Sequence, residues 1–406
     1  MDTIYAAATR KQPKSGRRRI CFPMTSRAYY GRTQLLIRKL HEHPDIDLEL
    51  MLGGSILLDK YSRGIAADIE AGGFTISASL FNVIEGGNHV AMAKTACLTA
   101  LEFTNGIHTA DPDIVVICGD RYEQLAIAMA AAYLNKTIAH IEGGDVTGSI
   151  DESVRHAITK LAHLHFVTNV DAHRRVLAMG EDPGYVFHTG SLDVEVAAGL
   201  TGPITSDTLN RYGVGDAIDL ARPFVMVIQH PVTTEADNGA HLEETLAAVL
   251  QQGIPAVWIW PNPDAGTGEM SERLRHFRER AGRHAHAMRF ITDLPVADFI
   301  ALLRVAACLV GNSSAGIKEC SYLGTPVVDV GSRQQGRLRA HNVVHVAYDR
   351  VAIADAIGRQ VTHGRYAPSD VYHRPGASDA IVGVLAGASL YTQKRFCDNA
   401  AVSVRT

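Results

Sequence analysis

Two carboxylates follow apolar runs of this sequence at points that suit acid–base chemistry. Asp120 comes one glycine after the run IVVIC, and Glu142 comes directly after the run TIAHI. Because parallel strands end at the same edge of a sheet, neighbouring strands would bring Asp120 and Glu142 close together. Two carboxylates that share a cleft raise the proton affinity of one of them, which supplies a general acid and a general base. We therefore interpret both residues as candidate catalytic groups.

Two further polar residues stand at the ends of predicted elements. Asp151 lies in GSIDESVRH at the start of a helical run, where either Asp151 or Ser149 would also serve as a simple helix cap. The same capping alternative applies to Asp120. His230 follows the run FVMVIQ and precedes a proline that stops the strand, which leaves the imidazole at the junction between the two halves of the chain. We add Asp151 and His230 to the candidate catalytic set.

The segment GNSSAG, which follows the run ACLV, has the composition of an anion site. Small residues at a helix start present free N–H groups, hydroxyl donors and the positive end of the helix dipole. Ser313 and Ser314 are predicted to bind a phosphate at the start of a helix that runs to about Leu323, with capping as the alternative. Glu319 is predicted to reach a ribose hydroxyl, unless it is an exposed helix residue. Arg27 follows the first apolar run, where a guanidinium suits a pyrophosphate.

The sequence lacks the motifs that would indicate a nicotinamide cofactor, a redox cysteine pair or a metal site. The GxGxxG fingerprint is absent after the first run, which argues against a nicotinamide cofactor. The six cysteines are scattered singly, without a CxxC pair. His156, His163 and His165 lie at a helix-to-strand transition and lack metal-ligand spacing. We therefore predict neither a metal nor a cofactor.

Composition limits the class of protein further. Of the 406 residues, 46% are hydrophobic and 20% are charged, which is typical of a folded chain with two domains. A net charge of -4 provides no broad basic field, so nucleic acid is not expected as a partner. No apolar window is long enough to span a bilayer, and the basic stretch at residues 10–19 is not followed by the h-region of a signal peptide. We expect no membrane partner and a cytoplasmic location.

Short β-rich runs alternate with helical stretches along the chain, and this alternation is typical of parallel sheets covered by helices on both faces. The predicted strands of the first half are Arg19–Met24, Leu48–Leu52, Ile114–Cys118, Thr137–Ile141 and His165–Thr168. Those of the second half are Phe224–Ile228, Ala256–Trp260, Met288–Ile291, Cys308–Val310, Val327–Val330 and Val343–Val346. Clear helical stretches are Gln34–His41, Gln124–Leu134 and Leu242–Gln251.

Residues 199–222 interrupt this pattern with Gly, Pro and Ser, as a domain junction would. We predict an α/β protein with two doubly wound, Rossmann-like domains that face a cleft. The predicted organisation is a flexible tail (1–17), a domain with the carboxylates (18–205), a nucleotide-binding domain (206–375) and a helical tail (376–406). Ligands of such sheets bind at the carboxyl ends of the strands, so the chemistry is expected in the cleft.

Taken together, these segments resemble the hydrolysing UDP-N-acetylglucosamine 2-epimerases, the branch that makes N-acetylmannosamine for sialic acid and related nonulosonic acids. The resemblance covers about residues 19–375. It is carried by GDRYEQLA, HIEGGDVTGSIDESVRHAITKLAHLHFVTN, HPVTTE, WPNPDAG, GNSSAGIKE and GTPVVDVGSRQQGR, in the family's order. One position departs from the family: Tyr29 stands where an acidic residue is usual after the first strand.

The resemblance implies a GT-B-like fold, a UDP-sugar substrate, no metal or cofactor, and a homodimer or homotetramer. It also implies a role for each candidate. The catalytic residues would be Asp120, Glu142, Asp151 and His230, and the residues that bind the UDP portion would be Arg27, Ser313, Ser314, Glu319 and Arg333. Two alternatives stay open: the same reaction on UDP-N,N'-diacetylbacillosamine, and a GT-B glycosyltransferase that needs an acceptor before it releases UDP.

Overall fold

The first half of the chain folds into a parallel sheet with helices on both faces. The computed structural model describes residues 16–59, 64–261, 264–281 and 287–399. The strands of the first sheet are β1 (Arg18–Met24), β2 (Ile46–Gly53), β3 (Ile76–Leu80), β4 (Ile114–Cys118), β5 (Thr137–Ile141), β6 (Leu164–Val167) and β7 (Val186–His188). They are parallel and lie in the order β3-β2-β1-β4-β5-β6-β7, which is the doubly wound order.

The helices that cover this sheet follow its strands along the chain. They are α1 (Arg27–Glu42), α2 (Ile65–Ala71), α3 (His89–Ala110), α4 (Tyr122–Tyr133), α5 (Ile150–Leu161), α6 (Val170–Ala178) and α7 (Leu192–Gly199). Every residue of β4 and β5 is buried, because helices cover both faces of the sheet at its centre.

The second half repeats the arrangement. Its strands are β8 (Val214–Gly215), β9 (Val225–Ile228), β10 (Ala256–Ile259), β11 (Met288–Ile291), β12 (Cys308–Gly311), β13 (Val327–Val330) and β14 (Val343–Val346). Their order is β14-β13-β12-β9-β10-β11-β8, and β8 joins the edge antiparallel to β11. The helices are α8 (Ser206–Leu209), α9 (Asn238–Gln252), α10 (Thr267–Ala281), α11 (Val296–Val305), α12 (Ser314–Ile317), α13 (Glu319–Leu323), α14 (Arg350–His363) and α15 (Ala377–Gly387).

This architecture confirms the predicted α/β fold with two Rossmann-like sheets. Each predicted strand is present, and its ends lie within two residues of those predicted. The strands that the sequence did not reveal are β3, β7 and β8, and each lies at the edge of its sheet. Helix α1 begins at Arg27 rather than at Gln34. Its first two turns contain polar and aromatic residues and lack the apolar periodicity from which the helix was predicted.

The helix predicted from the two serines to about Leu323 does end at Leu323, but the prediction of one continuous helix was wrong. Lys318, with φ -96° and ψ -76°, ends α12 and begins α13. Its carbonyl accepts hydrogen bonds from the Oγ of Ser321 at 2.6 Å and from the backbone N–H of Ser321 at 3.2 Å. The chain therefore turns at the residue that follows Ile317.

The C-terminal part of the chain returns to the first domain. Helix α15 packs against α1 and α7, and Ile381 and Leu385 are buried in the core of the first sheet. The predicted tail is helical only in α15, because the described residues from 388 to 399 contain no helix. Of the predicted N-terminal tail, residues 1–15 lie outside the described residues. Among the described helices, none combines the length and apolar character needed to cross a bilayer.

Candidate active site

A cavity of about 1100 Å³ lies between the two domains. Parallel strands of both sheets direct their carboxyl ends toward it, as the doubly wound order requires. The residues predicted to form the site all line this cavity: Arg27, Asp120, Glu142, Asp151, His230, Ser313, Ser314, Glu319 and Arg333. The structure thus brings residues from distant parts of the chain into one cleft. Their roles stay predictions.

Asp120 lies beyond the end of β4 and pairs with a buried arginine. The N-cap of α4 is Arg121, so the capping alternative for Asp120 was wrong. An Nη2 atom of Arg155, from α5, donates to Oδ2 of Asp120. Burial alone would raise the pKa of Asp120, but the charges of Arg155 and Arg337 outweigh burial and hold that pKa below its ordinary range. Asp120 is therefore ionised at neutral pH.

Tyr29 forms the wall behind the turn that leads to Asp120. Its side chain is 4% exposed, and a Cβ atom at Gly119 would lie 3.0 Å from the Tyr29 hydroxyl oxygen. The guanidinium of Arg32 lies 5.4 Å from the ring centroid, within the range of a cation–π contact. Burial and the charge of Asp120 raise the pKa of Tyr29 well above its ordinary value. Tyr29 is thus a neutral phenol beside Asp120, a predicted catalytic carboxylate.

Glu142 has a backbone that non-glycine residues rarely adopt. Its φ is +72°, and its N–H donates to the carbonyl oxygen of Phe166 at 2.8 Å. Such strain persists only where the surroundings fix it, and it is common at functional sites. The side chain is buried, with Oε1 2.6 Å from the Nζ of Lys318 and Oε2 3.3 Å from an Nη1 atom of Arg32. Both oxygens of Glu142 are thus held by cations.

The charges of Asp120 and Asp151 interact in the cleft. We predicted from the sequence that Asp120 and Glu142 would lie close together in one cleft. Both line the cavity, and the oxygens of Glu142 are bound to Lys318 and Arg32. Asp151 lies in the first turn of α5, and the hydroxyl of Ser149, the N-cap residue, donates to its Oδ2 at 3.0 Å. Burial and then the charge of Asp120 raise the pKa of Asp151. Asp120 and Asp151 therefore place an ionised carboxylate and a carboxyl group with increased proton affinity in the same cleft.

His230 is buried at the mouth of the second sheet and fixed by its backbone. Asn312 accepts from the His230 N–H at 2.7 Å and donates to the His230 carbonyl at 2.8 Å. Burial, and then the charge of Arg333, lowers the pKa of His230 to about 3. The imidazole is therefore neutral at pH 7 and can exchange hydrogen bonds with a ligand, but it does not supply a positive charge.

The predicted nucleotide residues lie on the second-domain side of the cleft, with Arg27 opposite. Ser313 is the N-cap of α12, and its Oγ accepts from the Ala315 N–H at 3.3 Å, so the capping role is present. Arg333 donates from Nη1 to the Asn312 carbonyl at 3.2 Å. Arg27 pairs across the cleft with Asp293 at 2.6 Å.

Glu319 is not the exposed helix residue that was its alternative. Burial, and then the charge of Asp193, raises the pKa of Glu319 to about 7. Its Oε2 atom is buried and has no hydrogen-bond partner among the described residues. An unsatisfied buried oxygen in a binding cleft is suited to a hydroxyl donor from a ligand.

Charged partners of the site were missed by the sequence reasoning. Arg121, the residue after Asp120, bridges the domains through a contact of 2.9 Å with Asp264. The others are Arg32, Arg155, Asp193, Lys318 and Arg337. Arg121, Arg155, Lys318 and Arg337 lie within the motifs that carry the resemblance, which gave a signal for them. Arg32 and Asp193 lie in helices outside those motifs, where a charge usually indicates a solvated face.

The histidines near β6 have protein partners. His163 accepts from the Ile138 N–H at 3.1 Å, and Nε2 of His165 lies 3.0 Å from Oε2 of Glu181. Within the part of the chain that the structure describes, no three His, Cys, Asp or Glu side chains are arranged to hold a metal.

The sequence pattern of the UDP-N-acetylglucosamine 2-epimerase family matches residues 38–386. The chain belongs to this family. A UDP-N-acetylglucosamine 2-epimerase from Neisseria meningitidis serogroup B is 31% identical over 358 residues, which cover 88% of this chain and 91% of the relative. A hydrolysing UDP-N,N'-diacetylbacillosamine 2-epimerase from Legionella pneumophila is 32% identical over 380 residues, which cover 93% of this chain and 97% of that protein.

Solved structures of 2-epimerases share the fold. The UDP-GlcNAc 2-epimerase from Methanocaldococcus jannaschii, in complex with UDP-GlcNAc and UDP, superposes with a TM-score of 0.75. The superposition covers 90% of this chain and 99% of that chain at 15% identity. At this identity the likeness establishes the two-domain fold of the 2-epimerase family and nothing finer.

Proposed function

We propose that this protein is a hydrolysing 2-epimerase, which converts UDP-N-acetylglucosamine or a close UDP-sugar to UDP and the 2-epimer, N-acetylmannosamine for the first substrate. The observation that carries the proposal is the contrast between the carboxylates of the cleft. Asp120 is held ionised by arginines, while Asp151 has a raised pKa. Environments that separate the proton affinities of two acids provide both acid and base in one site.

The proposed chemistry follows from the position of the proton at C2. That proton is not adjacent to a carbonyl, so its removal requires the C1–O bond to weaken first. The bond breaks, its electron pair leaves with UDP, and Asp120 or Glu142 removes the C2 proton to form a C1–C2 double bond. The oxygen of a water molecule then bonds to C1 as a hydroxyl, a carboxylic acid delivers a proton to C2 on the opposite face, and the proton released by the water passes to a carboxylate of the cleft. We assign that delivery to Asp151, which lines the cleft and whose pKa is raised by burial and by the charge of Asp120.

The leaving group is stabilised from the second domain. Charge that develops on the diphosphate is met by the hydroxyls and N–H groups at Ser313 and Ser314, by Arg333 and, from the first domain, by Arg27. His230, which is neutral, contributes a hydrogen bond. Glu319 accepts a hydrogen bond from a ribose hydroxyl at its unsatisfied oxygen.

A second substrate has its own support. The relative from Legionella pneumophila is named as a UDP-N,N'-diacetylbacillosamine 2-epimerase, and it matches 93% of this chain. The same carboxylates would serve that sugar, because the reaction at C1 and C2 is unchanged. A panel that contains both UDP-sugars therefore decides the substrate.

The direct test incubates purified protein with a panel of UDP-sugars in the absence of any acceptor. We expect release of UDP together with a free sugar of inverted configuration at C2, detected by chromatography and by proton NMR. Release of UDP only after an acceptor sugar is added would instead identify a glycosyltransferase of the same fold, and the proposal would fail.

We also propose that the chain self-associates, as a homodimer or as the building block of a homotetramer, through the outer face of α3 and α4. These helices pack together, and Val90 and Leu101 on α3 are 64% and 58% exposed. Met129 and Tyr133, one helical turn apart on α4, are 43% and 86% exposed. Exposed apolar side chains on neighbouring helices are typical of protein interfaces.

Light scattering with size-exclusion chromatography tests this face. The wild-type protein is expected to elute as an oligomer, and Leu101→Glu is expected to shift the mass toward that of one chain, because a carboxylate would be buried without a partner. Val351, on α14 of the second domain, is 57% exposed and provides the control Val351→Glu, which should leave the mass unchanged. A monomeric wild-type protein would contradict the proposal.

The state of the cysteines supports a reducing, cytoplasmic compartment as part of this proposal. All of them are free thiols, and Cys21, Cys118, Cys308 and Cys320 are buried within the two cores.

A further inference from the structure

We propose that Lys318 is a positioning residue that acts from the second domain on the carboxylate of Glu142 in the first. The inference rests on the proposed function, because it assigns Glu142 to the reaction, and it extends that function to a residue outside the predicted site. Lys318 does not need to touch the substrate for this role. It fixes the orientation of a group that does.

Lys318 reaches across the cleft into a buried cluster of four charges. Its side chain is 1% exposed, and its Nζ lies 2.6 Å from Oε1 of Glu142 and 3.2 Å from Oδ2 of Asp193. Arg32, from α1, closes the cluster with contacts of 3.3 Å to the other oxygen of Glu142 and 3.1 Å to Oδ1 of Asp193. Each cation contacts both carboxylates, and each carboxylate contacts both cations.

This arrangement fixes the carboxylate plane of Glu142. One oxygen is bound to a lysine and the other to an arginine, so rotation about the last side-chain bond would break both contacts. Charge-assisted hydrogen bonds are the stronger kind, and buried charges are tolerated only when they are paired. Burial lowers the pKa of Lys318, but the charges of Glu142 and Asp193 outweigh burial and raise it, so the ammonium group is retained.

The backbone of Lys318 connects this cluster to the proposed nucleotide site. Lys318 is the residue at which α12 ends and α13 begins, and it directly precedes Glu319. The segment from Ser313 to Glu319 therefore carries three of the proposed UDP contacts, Ser313, Ser314 and Glu319, and the cation that orients Glu142. Placement of the second domain over the first sets the Glu142 carboxylate in its reactive orientation, and removal of Lys318 is expected to slow chemistry more than it weakens nucleotide binding.

The test compares K318M, K318Q and K318R with the wild-type protein, using kcat for UDP release, the Kd for UDP and the melting temperature. In K318M and K318Q we expect kcat to fall at least tenfold while the Kd for UDP stays within threefold, and in K318R we expect recovery of much of the lost rate. The control is K39M, since Lys39 pairs with Asp379 at 2.7 Å outside the cleft and should leave kcat unchanged.

Several results would overturn the assignment. K318M with a wild-type kcat would show that Glu142 needs no such support. Parallel losses of kcat, UDP affinity and melting temperature in all three variants, or a failure of K318M and K318Q to fold, would show a structural role only. A wild-type protein that releases no UDP from any UDP-sugar would overturn the proposed function itself, whereas an active wild type with fully active K318M would overturn this inference alone.

Discussion

Asp120→Asn and Glu142→Gln are each expected to lower kcat by about 10²- to 10⁴-fold, the range typical for loss of a general acid or base. Both replacements keep the shape of the side chain and remove its charge and basicity. The Kd for UDP should stay within about threefold, because Asp120 and Glu142 belong to the first domain and the proposed UDP contacts lie mainly in the second. Steady-state kinetics with isothermal titration calorimetry separates these quantities.

The control for this pair flanks the same strand as Asp120, at the opposite end of that strand. Asp113 directly precedes β4 and accepts a hydrogen bond from the Arg19 N–H at 2.8 Å, far from the cleft. Asp113→Asn should leave kcat and the Kd for UDP unchanged. Loss of UDP binding in Asp120→Asn or Glu142→Gln, with the fold intact by circular dichroism, would contradict their assignment to the chemical step.

The second large effect concerns the nucleotide. Replacement of Ser313 and Ser314 together by alanine is expected to weaken UDP binding by roughly 1 to 3 kcal/mol, because two charge-assisted hydrogen bonds to the diphosphate would be lost. That corresponds to about a 5- to 150-fold increase in Kd. Calorimetric titration with UDP measures it directly. In the saturated enzyme, kcat should fall less than kcat/KM, because most of the lost energy is binding energy.

Loss of the Ser313 cap is a separate effect that needs its own control. Thr205 is the N-cap of α8 in the same half of the chain, and its Oγ1 accepts from the Thr208 N–H at 3.1 Å. The double variant Thr205→Ala with Thr208→Ala removes a comparable cap outside the cleft, at a cost of about 1 kcal/mol in stability, and should leave UDP binding unchanged. An unchanged Kd for UDP in the serine variant would remove these residues from the proposed site.

The central strands could be predicted from the sequence because burial on both faces demands continuous apolar runs. IVVIC and TIAHI, which become β4 and β5, are buried throughout. The edge strands lacked this signal: no residue of β3 is fully buried, and both residues of β8 are exposed. Their pairing depends on the neighbouring strand, which the local sequence does not encode.

Site residues that stand at strand ends could be predicted from the sequence. Residues whose burial requires contact between the two domains could not. Asp120, Glu142 and His230 follow apolar runs directly, and the turn chemistry marks them. Lys318 and Arg32 lie in helical stretches, where a lone charge is usually solvated, and their burial follows from packing between domains. The raised pKa of Asp151 could not be predicted either, because it depends on burial and on the charges that surround the group in the folded protein.

The hydrogen at C2 tests the central claim most directly. In the proposed reaction the C2 proton is removed and a new one arrives from solvent, whereas plain hydrolysis of the glycosyl bond leaves the original hydrogen in place. The measurement is the reaction of UDP-N-acetylglucosamine or UDP-N,N'-diacetylbacillosamine in heavy water, with the released sugar analysed by proton NMR and mass spectrometry. We expect one deuterium at C2 and inverted configuration there. A product with its original hydrogen and configuration at C2 would contradict the assignment as a 2-epimerase.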